Sequence, residues 1–169
     1  MILRTVTEAL GDGHDLEYFD SGKPELDIWL HNSARHAERN RTCRTFVWHF
    51  PDDNTVIAYF SLSAHLIART EMARIFRGSP DKIPAILLAR LALHKDFHGQ
   101  GLGSILLTDA LQRAVTAALH TGARFVVTDA IDDKAASFYA AHGFTPIPGD
   151  EYRLVRKMSD IAHDLGMPY

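Results

Sequence analysis

The residues best suited to chemistry are three glycines that alternate along the segment 98–103, which reads H-G-Q-G-L-G. Glycine leaves the backbone bare of side chains, and these three stand where a helix is predicted to begin. Consecutive N–H groups in such a loop, backed by the positive end of a helix, can bind an anion. The pattern therefore predicts a loop that holds a pyrophosphate.

Two familiar phosphate-binding loops are excluded by the spacing. Counting the dinucleotide fingerprint G-x-G-x-x-G from Gly99 or Gly101 places Leu102 or Ser104 where its last glycine should stand. No G-K-[ST] of a Walker loop occurs either. His94 and His98 have the i, i+4 spacing of a metal pair on a helix, but they flank a strand end and a loop, and H-E-x-x-H is absent. We expect no metal site.

The elements that must position this loop can be read from the apolar pattern. The run Ile86 to Leu93 is typical of a strand buried on both faces, and a helix is predicted from Leu102 to a stop at Gly122. Its apolar stripe consists of Leu102, Ile105, Leu106, Ala110, Leu111, Ala114, Val115 and Ala118.

The rest of the chain predicts an α/β fold with a mixed sheet flanked by helices. We expect a helix over 24–38, a hairpin of strands 42–50 and 56–63, a strand over 124–130, a helix over 133–142 and a final strand over 152–158. Residues 67–76 fit either a short helix or an irregular lobe. The order β-β-loop-β-α-β-α-β is that of a mixed sheet with helices on its faces.

Composition indicates one globular domain over residues 1–169. Hydrophobic residues make up 46% and charged residues 23%, and no apolar run approaches the roughly 18 residues of a membrane span. Residues 1–10 lack the charged and apolar regions of a signal peptide, and the single Cys43 cannot form an internal disulfide. We expect a cytoplasmic protein with no membrane contact.

Charge is unevenly distributed along the chain. The net charge is −3, but residues 31–95 hold ten basic and five acidic residues, whereas residues 1–30 hold two basic and seven acidic residues. Solvated helix faces and loops would account for any one arginine. As a group, the basic residues could form a surface that faces phosphates.

Two motifs together resemble the GNAT acetyltransferase superfamily. The loop at 98–103 resembles its R/Q-x-x-G-x-G/A signature, with His98 in the first position, and Ala135 to Phe144 resembles A-x-x-F-Y-x-x-x-G-F. The resemblance implies the GNAT fold, with acetyl-CoA as cofactor and the hydroxyl of Tyr139 near its sulfur. The residues that it implies for cofactor binding are Leu91, Ala92, Leu93, His98, Gly99, Gln100, Gly101, Leu102, Gly103, Ser104, Ser137 and Phe138.

A narrower resemblance covers nearly the whole chain. The segments Phe19 to Leu30, Arg44 to Val47, Tyr59 to Leu62 and Ile83 to Ala92 are similar to the GNAT toxins of bacterial type II toxin–antitoxin systems, where histidine also occurs at the position of His98. That branch acetylates the α-amine of the amino acid on charged tRNA. It implies charged tRNA as acceptor, a ribbon-helix-helix antitoxin and a homodimer. Candidate tRNA contacts are Arg35, Arg39, Arg74, Arg77 and Arg90.

Acetyl transfer to an amine requires a neutral amine, stabilisation of an oxyanion and a proton for the departing thiolate. Tyr139 suits the last task, because a phenol with a reference pKa near 10 stays protonated at neutral pH. A backbone N–H of Leu91 to Leu93 is the expected oxyanion donor. Asp129 and Glu71 are possible general bases, but water could suffice for an amine with a reference pKa near 8. Arg90, inside an apolar strand, either pairs with a carboxylate such as Asp129 or contacts tRNA.

Two other functions stay open on the sequence. One is a GNAT enzyme that acts on a protein N-terminus, a polyamine or an aminoglycoside, although polycations favour an acidic pocket and the middle of this chain is basic. The other is a GNAT domain that binds acetyl-CoA or a partner without catalysis. The intact glycine loop and Tyr139 argue against it.

Overall fold

The computed structural model describes residues 4–68, 70 and 81–169, and in that part it contains seven strands and five helices. The strands are β1 Val6–Ala9, β2 Arg44–Phe50, β3 Asp53–Ala68, β4 Lys82–Leu93, β5 Phe125–Asp129, β6 Thr145–Ile147 and β7 Asp150–Lys157. The helices are α1 Pro24–Asn32, α2 Ala34–Arg39, α3 Leu102–Thr121, α4 Asp133–Ala141 and α5 Met158–Asp164. None of these helices combines the length and the apolar character needed to cross a membrane.

The strands form a mixed sheet in the order β1-β2-β3-β4-β5-β7-β6. Strands β1, β2 and β3 pair antiparallel, as do β5 with β7 and β7 with β6, whereas β4 and β5 run parallel. The parallel register extends from Ala85 opposite Phe125 to Leu88 opposite Thr128. Strand β4 then continues to Leu93 without a further register pair on β5. The predicted α/β fold with a mixed sheet is confirmed.

The chain divides into two compact units, and the first contains residues 1–63 and 90–108. Its core joins α1 to β2, β3 and the end of β4, because these elements each turn an apolar face inward. Tyr59 and Leu30 are completely buried there. The other buried members of this core are Leu10, Leu16, Phe19, Ala34, Val47, Val56 and Ala92, with Leu26 and Trp29 packed against them.

The second unit contains residues 64–89 and 109–169. Its core lies where β4, β5 and β7 run side by side, so that strands with near-continuous apolar sequences are covered. Phe125 and Val127 of β5 are almost fully buried. They pack with Ile67, Ile83, Ala85, Ile147 and Val155, and Leu87 is partly buried against them.

The buried residues of helix α3 are those of the predicted apolar stripe, with one difference. Leu106, Ala110 and Val115 are buried as predicted, but Ile105 is 56% exposed and Leu107 is buried in its place. The helix ends at Gly122, whose φ of +78° lets its N–H donate to the carbonyl of Ala118 at 2.8 Å.

Other boundaries differ from the prediction for physical reasons. The helix expected over 24–38 is two helices, because Ser33 has a non-helical φ of −127° between Leu30 and Ala34, which are both fully buried. Strands β1 and β6 and helix α5 were not predicted. Strand β6 is short and contains Pro146, which lacks an N–H and suits the sheet edge where β6 lies.

The ambiguous stretch 67–76 lies only partly within the described residues. Residues 67 and 68 end β3 rather than begin a helix, and most of the remainder lies outside the described residues. The predicted turn over 51–54 is shorter than expected, since β3 already begins at Asp53.

Candidate active site

The glycine loop has the conformation that the sequence predicts. Gly99 and Gly101 have φ values of +76° and +75°, in the left-handed region that side-chain-bearing residues disfavour. A Cβ placed on either residue would meet no atom within 4 Å, so the backbone borders open space. Helix α3 begins directly afterwards at Leu102, with Gly103 and Ser104 in its first turn. This is the bare backbone and helix start that a pyrophosphate requires.

His98 ties the start of this loop to the end of β4. Its Nε2 donates to the carbonyl oxygen of Leu93 at 2.7 Å. His94 has a separate role, because its Nε2 donates to the carbonyl of Tyr18 at 3.1 Å and its Nδ1 accepts from the N–H of Asp96 at 3.1 Å. The two histidines therefore both hold backbone segments in place.

The end of β4 supplies the expected backbone donors. Leu91, Ala92 and Leu93 all follow the last register pair between β4 and β5, at Leu88. Ala92 is 5% exposed and belongs to the core that includes Tyr59. The segment is therefore fixed by packing on one side, while its backbone beyond Leu88 is not used by β5.

Tyr139 is the predicted proton donor, and it lies in α4 with only 6% of its surface exposed. Burial raises the pKa of Tyr139 to about 12, and a hydrogen bond with the Thr128 hydroxyl acts in the opposite direction. The ring of Phe144 packs edge-on against it, with 5.6 Å between ring centroids. Tyr139 is therefore a neutral phenol over the whole physiological pH range.

Helix α4 holds Tyr139 by capping at both ends. The side chain of Asp132 accepts from the N–H of Ala135 at 2.8 Å at the start of the helix. At the other end Gly143, with φ +87°, turns the chain, and the N–H of Phe144 donates to the Tyr139 carbonyl at 3.1 Å.

The two residues before Tyr139 differ in exposure. Ser137 is exposed, whereas Phe138 is half-buried. The ring of Phe138 contacts those of Tyr139 and His142, at 5.4 and 4.6 Å between centroids. Phe138 therefore helps to fix the orientation of the tyrosine ring.

The structure brings the predicted residues together in two groups, each within one compact unit. The first unit holds the glycine loop, the end of β4 and Arg90, and the second holds Ser137, Phe138 and Tyr139.

The candidate tRNA contacts have different surroundings. Arg35 is used by the fold, since its guanidinium donates to the carbonyls of His14 at 2.6 Å and Gly11 at 3.3 Å. Arg39 is exposed at the end of α2. Arg74 and Arg77 lie outside the described residues. Their contacts with tRNA stay predictions.

Arg90 is not paired with Asp129, the carboxylate predicted as its partner. Its guanidinium lies 3.9 Å from the centroid of the Trp29 ring. Asp129 instead accepts two hydrogen bonds from Arg153, at 2.8 and 3.1 Å. The carboxylate considered as a general base is thus engaged by an arginine, and Glu71, the other candidate, lies outside the described residues.

Sequence reasoning missed two residues of this region, Trp29 and Thr128. Trp29 is an apolar residue of α1, and its neighbour Arg90 is 61 positions away in the sequence. Thr128 carried no signal beyond strand propensity, because its role depends on the pairing of β4 with β5. Only the three-dimensional structure places these side chains beside the residues they affect.

Comparison with known proteins decides the family. Residues 44–146 match the family model described as the acetyltransferase (GNAT) domain. The chain belongs to the GNAT acetyltransferase family. Among curated GNAT-related proteins, it is 36% identical over 158 residues to the tRNA-acetylating toxin of Mycobacterium tuberculosis (strain ATCC 25618 / H37Rv), covering 93% of this chain and 94% of that protein. It is 26% identical to the probable toxin TacT of Sinorhizobium fredii (strain NBRC 101917 / NGR234), with 90% of both covered.

Solved structures extend the comparison to complexes. AtaT complexed with acetyl-methionyl-tRNAfMet has a TM-score of 0.86 and 26% identity, over 95% of this chain and 98% of that one. A mutant AtaT toxin bound to the C-terminus of the antitoxin AtaR and acetyl-CoA has a TM-score of 0.83 and 26% identity, over 97% and 99%. The predicted GNAT fold and the predicted likeness to the toxin branch are both confirmed.

Proposed function

We propose that this chain is an N-acetyltransferase toxin that uses acetyl-CoA to acetylate the α-amine of the amino acid on charged tRNA, and so blocks translation. The observation that carries the proposal is the 36% identity to the tRNA-acetylating toxin of M. tuberculosis, which extends over 93% of this chain. The likeness to AtaT in complex with acetyl-methionyl-tRNAfMet supports the same acceptor.

The first unit provides the groups that would hold acetyl-CoA. The left-handed Gly99 and Gly101 expose backbone N–H groups beside the start of α3, where Gly103 and Ser104 follow, and these groups fit a pyrophosphate. Acetyl-CoA, when bound, supplies the activated acetyl thioester. The backbone N–H groups of Leu91 to Leu93 are free of β5 and can orient the reacting carbonyl.

Tyr139 would donate the proton that the departing thiolate needs. A thiol has a reference pKa near 8.5, so a buried phenol with a pKa of about 12 still carries its proton while the sulfur becomes anionic. Because Asp129 is paired with Arg153, we assign no carboxylate as general base. The α-amine has a reference pKa near 8 and is partly neutral at physiological pH, so water can accept its proton.

The acceptor would be recognised through its phosphates. Arg39 is exposed and Arg90 has an uncommitted guanidinium, so these two are the best-placed contacts of the described residues. Arg74 and Arg77 remain candidates from the sequence. The role of Arg35 is mainly structural, since its guanidinium already donates to two backbone carbonyls.

The biological setting follows from the same proposal. We infer that residues 1–169 act as one domain, because β3, β4 and α3 each contribute residues to both compact units. A charged-tRNA substrate supports a cytoplasmic location. An antitoxin would neutralise it, as suggested by the complexes of AtaT with AtaR, and we propose a ribbon-helix-helix antitoxin and a toxin homodimer.

The test is acetylation of total charged tRNA with labelled acetyl-CoA. Label should enter charged tRNA and leave it as N-acetyl amino acid after base hydrolysis, while deacylated tRNA and tRNA with a blocked α-amine should stay unlabelled. Parallel reactions offer spermidine and a peptide N-terminus. Label on either of those amines, with none on charged tRNA, would replace this proposal with a different acceptor.

A further inference from the structure

Arg90 differs from the other half-buried arginines of the described residues. Arg35, Arg113, Arg153 and Arg156 each donate to a carbonyl or a carboxylate. No residue in the described part of the chain accepts a hydrogen bond from Arg90 or forms an ion pair with it. A guanidinium has five N–H donors, so Arg90 has donors available to a ligand.

Aromatic rings hold this guanidinium on one face. It lies 3.9 Å from the ring centroid of Trp29, and Trp29 stacks on Tyr59 with 6.0 Å between centroids and 17° between planes. Tyr59 is completely buried, and its hydroxyl donates to the carbonyl of Leu26 at 2.7 Å. The stack fixes the plane of Arg90 but leaves its N–H donors without an acceptor among the described residues, since a ring face attracts the charge without accepting each hydrogen.

The chemical group that would accept hydrogen bonds from Arg90 can be identified from the substrates. A planar guanidinium fork matches carboxylate and phosphate oxygens with two parallel hydrogen bonds. Neither substrate of the proposed reaction brings a free amino-acid carboxylate to this point, because on charged tRNA that carboxyl group is esterified. Both substrates bring phosphates.

The place of Arg90 in the first unit agrees with a phosphate. It precedes Leu93 by three residues on β4, roughly 10 Å along an extended strand. Leu93 accepts the hydrogen bond from His98 at the start of the glycine loop. Arg90 and Ala92 lie on one side of the strand because side chains alternate, and Ala92 packs in the core with Trp29.

We propose that Arg90, stacked on Trp29, is an anion-binding subsite that receives a phosphate group of a substrate. The inference rests on the proposed function for the identity of the substrates. The phosphate belongs either to the acceptor end of charged tRNA or to coenzyme A, and the two sources give different results in one set of variants.

Three variants separate the contributions of the Arg90 charge, the planar Arg90 guanidinium and the Trp29 ring. Arg90→Met keeps an aliphatic stem and loses the charge, Arg90→Lys keeps the charge and loses the planar fork, and Trp29→Leu removes the platform. Arg44→Ala is the matched control, since Arg44 lies in the same unit, is exposed and pairs with Glu38 at 3.1 Å. Steady-state KM and kcat are measured with charged tRNA, and affinities by calorimetry with acetyl-CoA, its 3′-dephospho form and inorganic pyrophosphate.

If the phosphate comes from tRNA, Arg90→Met raises the KM for charged tRNA by about tenfold to a hundredfold, the scale of lost hydrogen bonds to a charged group. The KM then depends less steeply on salt, by about one unit of log–log slope. Arg90→Lys and Trp29→Leu give smaller increases, kcat changes little, and Arg44→Ala behaves as wild type.

If the phosphate comes from coenzyme A, the tRNA KM is unchanged and the affinity for acetyl-CoA falls instead. A fall seen with acetyl-CoA but not with its dephospho form assigns the 3′-phosphate, and a fall also seen with pyrophosphate assigns the diphosphate.

A purely structural arginine gives another pattern, and it overturns the proposal. Arg90→Met and Arg90→Lys would then lower the melting temperature while every KM and affinity stayed at the wild-type value. If the wild-type protein failed to acetylate charged tRNA at all, the proposed function would fall. The acetyl-CoA and pyrophosphate titrations alone would then test the subsite.

Discussion

The hydroxyl of Thr128 donates a hydrogen bond of 2.9 Å to the carbonyl oxygen of Leu88, and the same two residues form the last register pair between β4 and β5. Thr128 is 1% exposed. The Thr128 side chain also acts on the Tyr139 phenol, whose pKa it lowers against the larger effect of burial. We therefore expect Thr128 to orient Tyr139 from the point where the two parallel strands stop pairing.

Replacing Thr128 with valine tests this orientation. Thr128→Val keeps the shape but removes the hydroxyl, so the Leu88 carbonyl loses a buried partner at a cost of about 1–3 kcal/mol in the free energy of unfolding. We expect kcat to fall roughly tenfold or more, because the Tyr139 phenol loses the neighbouring hydroxyl that we expect to orient it. Urea unfolding and steady-state kinetics measure both effects. Thr128→Ser restores the hydroxyl and should recover most of the turnover; a serine variant as slow as valine would contradict the orienting role.

Tyr139→Phe separates proton donation from cofactor binding. The ring and its packing against Phe144 remain, but the proton donor is lost, so kcat should fall by roughly 10² to 10⁴ with little change in acetyl-CoA affinity. Tyr152→Phe is the matched control, because Tyr152 is 43% exposed and its hydroxyl donates to Asp133. Near-full turnover in Tyr139→Phe would assign the proton to water or to another residue.

The pH dependence of the wild-type enzyme follows from the raised pKa of Tyr139. Below about pH 8 the rate should rise with pH, as the α-amine loses its proton. If Tyr139 had the ordinary phenol pKa near 10, it would lose its proton around pH 10 and the rate would fall. With a pKa of about 12 Tyr139 keeps its proton, so the rate should stay level through pH 10. The kcat/KM profile, with circular dichroism to monitor folding, is the measurement. An alkaline limb near pH 10 in folded protein would show a donor with an unshifted pKa.

Two glycines of equal strain separate cofactor binding from stability. Gly101 and Gly122 have φ values of +75° and +78°, and a Cβ would meet nothing within 4 Å of either. Gly101→Ala and Gly122→Ala should therefore lower stability by a similar amount, about 1–2 kcal/mol. Only Gly101→Ala should weaken acetyl-CoA binding, by about tenfold or more, because its methyl group enters the space left for the pyrophosphate. Equal affinities in calorimetry would remove the loop from the cofactor site.

Local signals predicted the elements that carry the cofactor loop and the tyrosine. The glycines of 98–103, the stripe of α3 and the A-x-x-F-Y-x-x-x-G-F motif of α4 are short-range features, and each depends on residues within a few turns of helix. Strand β1 escaped prediction because its four residues pair only through distant β2. Helix α5 begins at Met158, directly where β7 ends, with no turn residue between the two elements.

The relations between side chains were harder to foresee than the residues themselves. Arg90 was recognised as an arginine that needs a partner, but the partner is a ring on α1 rather than a carboxylate on β5. Asp129 was predicted as a partner of Arg90 or as a general base, but it is bonded to Arg153 in the structure, since antiparallel β7 places that residue opposite it. Sheet register decides such pairings, and register depends on the whole fold.

The part of β4 beyond Leu88 has a consequence for the protein at rest. Most strand edges lie at the border of a sheet, where short length, charge or proline discourages pairing with another chain, as Pro146 does in β6. Residues 89–93 lie in the middle of the strand order without a register pair on β5, and Arg90 is the one charged residue among otherwise apolar ones. A ligand that covers these backbone groups would also prevent them from pairing with a strand of another molecule. We therefore expect concentrated ligand-free protein to self-associate more readily than protein kept with acetyl-CoA.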